Sequence, residues 1–163
     1  EALILLAHWV GDVHQPMHVS FADDRGGSQI MLDEDEGYGR HLHAAWDAGI
    51  IKAHRGKQRL GAYIEALNTR AREQQDNWQS STRAIDWAQE SFNIVTSPIA
   101  RYCKWRKINK DAGSTERRCE SINDAYSVDG AYVSQIAPIL EKRLIQAAIR
   151  LAFMLERLLG RDN

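Results

Sequence analysis

The longest helical pattern in this chain is an apolar stripe near its C-terminal end, repeating at steps of three and four residues. The stripe consists of Ile136, Leu140, Leu144, Ala147, Leu151, Leu155 and Leu158. Asp129-Gly130 precedes it and Gly160 follows it, as expected for a capped start and a C-terminal stop. We interpret the stripe as the packing face of a long helix, without a role in chemistry.

Four shorter segments also have helical periodicity. The first, residues 2–10, is apolar nearly all round, which predicts a helix buried on every side and ended by Gly11 and Pro16. The others start near His41, run from about Leu60 to Gln75, and run from about Ser81 to Val95. In the helix from Leu60, we expect Leu60, Ile64 and Leu67 to share the buried side.

The segments between these helices are polar or rich in glycine. Residues 19–40 are predicted to form a loop with a candidate short strand at Gln29 to Leu32, and residues 104–123 an exposed loop. The prediction is therefore one all-α, multi-helix domain over residues 1–163, with at most a small β-hairpin.

Charge and hydropathy exclude two classes of function. With 21 basic and 22 acidic residues the net charge is −1, which argues against a protein that coats duplex nucleic acid with a broad basic surface. A nuclease is not excluded, because bound metal ions can supply positive charge locally. No apolar run approaches the roughly 18–20 residues of a membrane span.

Five imidazoles and carboxylates are the candidate metal ligands of the chain. They are His8, Asp12, His18, His43 and Asp47. Four of them form two HxxxD pairs, and this spacing puts both side chains on one helix face, roughly 6 Å apart. Each pair alone is more typical of a histidine hydrogen-bonded within a core. Together with His18, which follows the helix-ending Pro16, the pairs favour zinc, for which His18, His43 and Asp47 make a complete three-ligand set.

The other three histidines are weaker candidates. His14 lies two residues before Pro16 and is either a core residue or a hydrogen-bond donor to a metal-ligating side chain. His41 is two residues from His43, so on a helix it points elsewhere, and His54 resembles a solvated helix end.

The ligand motifs resemble those of the zinc-dependent S1/P1 nucleases. The run from His8 to His18 reads HxxGDxxQPxH, and it is followed by Gly26-Gly27 and by Leu42-His43-x-x-Trp46-Asp47. The resemblance implies the all-α scaffold shared with zinc-dependent phospholipase C. It also implies a zinc-dependent endonuclease and 3′-nucleotidase that acts on single-stranded DNA and RNA through a zinc-activated water.

The resemblance also implies a role for each matching residue. Up to three zinc ions are expected at the bottom of a cleft. His8 would bind one ion, Asp12 would bridge two and orient the nucleophile, and His18, His43 and Asp47 would hold another. Gly26, Gly27 and Ser28 match a Gly-Gly-Asn segment that helps to bind the nucleobase. Because a hydroxyl cannot reproduce the paired donor and acceptor of an amide, Ser28 alters this contact.

The family's other zinc ligands, a terminal Trp followed by His, Asp and His, precede the region matched here and are absent from this sequence. We therefore expect this chain to be the C-terminal portion of the domain, with a separate N-terminal segment as partner and little nuclease activity without it. Two alternatives remain: a phospholipase C-like zinc phosphodiesterase and a non-catalytic metal-binding helical fragment.

Cys103 and Cys119 flank the polar stretch of residues 104–118. Their spacing alone leaves two free thiols and a disulfide both open. Because the resembled family is secreted, the resemblance implies the disulfide and a secreted or periplasmic location.

Overall fold

The computed structural model describes residues 1–33, 37–74, 83–109, 115–122 and 126–160. Within these ranges five helices and one β-hairpin form the scaffold. The helices are α1 (Ala2–Val13), α2 (Leu42–Ala44, a π-helical turn at Ala45–Gly49, and Ile50–Arg55), α3 (Leu60–Glu73), α4 (Ala84–Val95) and α5 (Gly130–Leu159). The predicted all-α fold is confirmed. In this part of the chain, no helix is long and apolar enough to cross a membrane.

The core lies between α2, α5 and the loops that flank α4. Trp46 and Ile50 of α2 pack there with Tyr132 and Ile136 of α5, all almost fully buried. Trp46 Nε1 donates a hydrogen bond to Tyr132 Oη over 3.0 Å, and Tyr132 Oη donates to the carbonyl of Ala100. Since buried polar groups need partners, this chain of bonds fixes how α2 sits on α5.

Helix α5 confirms the predicted start, because Asp129 caps it by accepting a hydrogen bond from the backbone N–H of Tyr132. The predicted packing stripe is only partly correct. Ile136 and Leu140 are buried, whereas Leu144 is 48% exposed and Leu158 is at the surface. After Leu140 the buried face shifts to Ile145 and Ile149 and to polar residues, because α5 meets the charged side of α4 there.

The prediction of a fully buried first helix is wrong for the described residues. Only Val10 of α1 is buried, while Ile4 is 74% and Trp9 64% exposed. Helix α1 packs against α4 and α5 on one side, and apolar composition all round the helix cannot reveal how many neighbours it has.

The polar stretch predicted as a loop is a hairpin instead. Strands β1 (Cys103–Asn109) and β2 (Thr115–Ser121) pair antiparallel, and a Cys103–Cys119 disulfide joins them. Because both faces of this ribbon carry charged side chains, it lacks the alternation of apolar and polar residues that reveals a half-buried strand. The candidate strand at Gln29 to Leu32 is absent, and only isolated bridges from Met31 and Leu32 occur there.

Helices α3 and α4 lie close to their predicted bounds, but α3 buries a different face from the one predicted. Helix α3 buries Tyr63, and Leu60 and Ile64 are exposed, so the predicted buried side is wrong. Helix α4 is described from Ala84, and the predicted start at Ser81 lies outside the described residues.

Candidate metal centre

Two short elements carry the three ligands of the predicted zinc site. A 3₁₀ turn (Pro16–Val19) follows α1 and holds His18, with Pro16 and Met17 buried beneath it. His43 lies in the first turn of α2 and Asp47 in its π-helical turn. Single π-helical turns within α-helices are frequent at functional sites. Because Pro16 and Met17 are held in the core, the side chain of His18 faces α2.

The three side chains converge on one point. One ligand atom each from His18, His43 and Asp47 lies within 4.8 Å of the others. His18 Nε2 is 3.1 Å from Asp47 Oδ1, His43 Nε2 is 3.3 Å from Asp47 Oδ2, and the two imidazoles stack with centroids 4.9 Å apart. Two imidazole nitrogens and a carboxylate fit a zinc ion that keeps a further position for water or substrate.

His43 is oriented by the turn at Gly26 and Gly27. Its Nδ1 donates to the carbonyl of Gly26 over 2.8 Å, which leaves Nε2 to face Asp47. Metal-binding histidines ordinarily donate their second N–H in this way. Gly26 has φ +65°, and a Cβ there would lie 2.7 Å from the carbonyl oxygen of Met17. The turn therefore requires glycine for conformational reasons, whatever it binds.

A buried carboxylate holds the same turn from beneath. Asp24 accepts hydrogen bonds from the backbone N–H of Gly27, over 2.8 Å, and from the hydroxyl of Tyr102. Burial, with the neighbouring Asp24 carboxylate, raises the pKa of Tyr102, so this hydroxyl remains a donor. The turn and His43 are thereby tied to the core.

Asp12 and Gln15 contact the cluster from the end of α1. Asp12 Oδ1 lies 2.6 Å from His18 Nδ1, and Gln15 Nε2 donates to Asp47 Oδ1 over 2.6 Å. The hydrogen bond to Asp47 and the charge of Asp12 raise the pKa of His18. Burial opposes ionisation of Asp47, but hydrogen bonds from His18 and Gln15 outweigh it and lower the pKa. The cluster thus favours the ionised carboxylate of Asp47, which accepts hydrogen bonds from the side-chain nitrogens of His18 and Gln15.

Not every predicted site residue joins this cluster. His18, His43 and Asp47 come together, and Asp12 touches His18. His8 is exposed on α1 and is outside the three-ligand group found among the described residues. Gly26 and Gly27 lie beside His43, and Ser28 continues the same turn.

Comparison with known proteins identifies the family. The family model described as S1/P1 Nuclease matches residues 1–160. The chain belongs to the S1/P1 nuclease family. Endonuclease 4 of Arabidopsis thaliana is 35% identical over 97% of this chain and 50% of its own length. Endonuclease 2 of the same plant is 32% identical over 98% of this chain and 52% of its own.

A fungal relative extends the similarity beyond plants. Nuclease S1 of Aspergillus oryzae is 26% identical over 96% of the chain and 53% of its own length. The chain therefore spans about half the length of these curated S1/P1 relatives. Their names are those of nucleases, as the motifs predicted.

The remaining histidines of this S1/P1 chain have structural roles. His14 is buried, donates from Nδ1 to the carbonyl of Val10 and receives a hydrogen bond from Arg150 at Nε2. Burial lowers the pKa of His14 to about 4. His41 caps α2 by accepting from the N–H of Ala44 over 3.1 Å, and His54 lies 3.5 Å from Glu141.

Sequence reasoning missed the buried polar network that supports the end of α1. Arg143 and Arg150 of α5 both bind the carboxylate of Glu90, and Arg143 also donates to the carbonyl of His14. Ser91 donates to the carbonyl of Val13. The seven-residue spacing of the two arginines places them on one helix face and could have indicated the network.

Proposed function

We propose that this chain provides a zinc centre of an enzyme that hydrolyses phosphodiester bonds of single-stranded DNA and RNA, and 3′-nucleotides. The observation that supports it most is the convergence of His18, His43 and Asp47 in an S1/P1 nuclease chain. The nuclease names of its relatives support the same class of substrate.

Nε2 of His18, Nε2 of His43 and an oxygen of Asp47 would hold the ion. Asp12 binds the far nitrogen of His18, and the Gly26 carbonyl binds the far nitrogen of His43, so both imidazoles present Nε2 to the site. A zinc ion held there supplies Lewis acidity and lowers the pKa of a bound water towards neutrality.

Asp12 and His8 have further proposed roles. Asp12 is half-exposed beside His18, where its carboxylate would orient the attacking water as well as bridge metals. His8, one helical turn before Asp12 on α1, is proposed as a ligand of another zinc ion.

Gly26, Gly27 and Ser28 are proposed to contact the nucleobase. Because Gly26 touches His43 directly, a base on this turn would lie beside the centre. The Ser28 hydroxyl provides one donor and acceptor in place of an amide. A secreted or periplasmic location is part of the proposal, and the Cys103–Cys119 disulfide supports it.

The test is hydrolysis of a labelled single-stranded oligonucleotide by zinc-loaded protein, as residues 1–163 and in any longer gene product that contains them. Asp47→Asn should reduce cleavage to the metal-free level. Asp86→Asn, which changes a half-exposed aspartate on α4, is the matched control and should keep the full rate. Turnover of a phosphatidylcholine analogue without cleavage of the oligonucleotide would contradict the proposal, and so would zinc binding without any hydrolysis.

A further inference from the structure

A polar groove of about 520 Å³ separates the hairpin from the loop that follows His18. Its principal lining residues are Phe21, Asp23, Lys104, Arg106, Arg118 and Glu120. Phe21 and Asp23 belong to the segment that connects His18 with the turn at Gly26. A short, continuous piece of chain therefore connects the groove to the metal centre.

The hairpin concentrates positive charge in an otherwise balanced protein. Its two strands contain five basic and two acidic residues, whereas the whole chain has 21 basic and 22 acidic ones. Arg106 and Arg118 are direct cross-strand partners and both line the groove. Like charges placed opposite each other destabilise a hairpin, so an anion in the groove would relieve this repulsion.

The two carboxylates in the groove do not cancel this charge. Glu120 lies 2.7 Å from Nε of Arg106, but the pair is exposed, and such pairs contribute little in water. Asp23 is the other acidic residue, against three basic side chains. A phosphate group can replace a carboxylate on an arginine and bind it through two parallel hydrogen bonds.

The opposite wall of the groove offers a fixed aromatic ring. Phe21 packs edge-on against Phe92, with centroids 5.9 Å apart, and lies 5.6 Å from the ring of Tyr102. Unpaired bases stack on such rings, whereas bases within a duplex are already stacked. Basic side chains facing an aromatic wall are the usual features of single-strand binding sites.

We propose that this groove binds the backbone of a single-stranded nucleic acid where the strand continues past the metal centre. Lys104, Arg106 and Arg118 contact phosphates, and Phe21 contacts a base. The inference rests on the proposed function, since it extends the path of the same substrate. It adds a binding surface that consists of the hairpin and of residues outside the ligand set.

The test measures binding of a fluorescein-labelled oligothymidylate of about 12 nucleotides in EDTA, where neither metal nor hydrolysis contributes. The hairpin variant combines Lys104→Gln, Arg106→Gln and Arg118→Gln. The control variant combines Lys52→Gln, Lys57→Gln and Arg59→Gln, which removes the same charge from an exposed region of α2 and its link to α3. We expect about tenfold weaker binding for the hairpin variant at about 50 mM salt, with a shallower salt dependence. The affinity of the control variant for the oligonucleotide should stay within about twofold of the wild-type affinity under the same conditions.

Three outcomes would overturn the inference: unchanged binding by the hairpin variant, equal weakening by both variants, or displacement of the probe by polyglutamate as readily as by unlabelled oligothymidylate. The single variant Arg118→Gln separates loss of binding from loss of folding. It removes the repulsion with Arg106, so it should weaken binding without lowering Tm. Hydrolysis of a 3′-mononucleotide does not use the groove, so the hairpin variant should retain it. If binding depends on the groove but neither residues 1–163 nor a longer gene product hydrolyses the oligonucleotide, the proposed function is contradicted and the groove inference is not.

Discussion

The side-chain amide of Gln15 connects the 3₁₀ turn of His18 to Asp47. Its Nε2 donates to Asp47 Oδ1 over 2.6 Å, while its Oε1 accepts from the backbone N–H of Met17. Both ends of the amide are used, so its orientation is fixed. Glutamate could accept from Met17 but would repel Asp47, and methionine could do neither. Gln15 thus positions Asp47, the proposed metal ligand.

Gln15→Met should weaken zinc binding about 10- to 100-fold, the usual effect of losing a hydrogen bond to a ligating carboxylate. Competitive titration with a zinc chelator measures the affinity, and the d–d spectrum of the cobalt-substituted protein reports the ligand geometry. Gln89→Met is the control, since Gln89 is exposed on α4 and its side-chain amide donates to Asn93, away from the metal centre. Equal zinc affinity for Gln15→Met and wild type would show that Gln15 does not position Asp47.

Gly26→Ala should destabilise the protein by about 2 kcal/mol, because alanine is strained at positive φ. Its Cβ would also meet the Met17 carbonyl at 2.7 Å. Gly61→Ala on α3 is the matched control, since its Cβ meets nothing within 4 Å and alanine favours a helix by about 0.5 kcal/mol. Urea unfolding of both variants tests this. Equal stability of Gly26→Ala and wild type would mean that the turn can relax.

Glu90 should make stability depend on acid pH. Burial alone would raise its pKa, but hydrogen bonds from Arg150 and Arg143 lower it to about 2, from an ordinary value of 4.5. Its contribution is therefore complete above pH 4.5 and is lost as the pH falls towards about 2. Thermal melts should show Glu90→Gln less stable than wild type at neutral pH.

That difference should narrow between pH 4.5 and about 2, where wild-type Glu90 becomes protonated. His14 contacts Arg150, and burial lowers its pKa to about 4 while the charge of Glu90 raises it. This coupling is therefore part of the difference, and it is also lost as Glu90 becomes protonated. A constant difference in Tm from neutral pH to pH 3 or so would show that the Glu90 charge is not the cause.

Replacing both Cys103 and Cys119 by serine should lower the free energy of unfolding by about 3 kcal/mol, because the disulfide closes a loop across a separation of 16 residues. Unfolding in urea with and without reductant measures it, and reductant should have no effect on the double variant. Two titratable thiols in unfolded, unreduced wild type would contradict the disulfide itself.

The sequence could predict that His18, His43 and Asp47 come together, because residue type and spacing bring them close locally. His43 and Asp47 share a helix face through a spacing of four, and Pro16 separates His18 from α1. The role of Gln15 could not be predicted, because it depends on the fold bringing residue 15 next to residue 47. The same holds for Asp24 and Tyr102, which meet across 78 positions of sequence.

The errors about the fold have a common physical cause. Apolar periodicity predicts that a face will be buried when a neighbour is available, so it succeeded at Ile136 and failed at Leu144 and Ile4. The small hairpin that the prediction allowed was not located in the polar stretch, because its order comes from cross-strand pairing and a disulfide, and neither requires an apolar face.

Elemental analysis of folded residues 1–163 after dialysis shows whether His18, His43 and Asp47 bind a metal ion. We expect at least one zinc per chain in the wild type and in His54→Ala, which changes an exposed histidine outside the cluster, and loss of that zinc in His18→Ala. Circular dichroism and thermal melts should show all three proteins folded. No bound transition metal in the folded wild type, or zinc retained in His18→Ala, would contradict the assignment of His18, His43 and Asp47 as a metal centre.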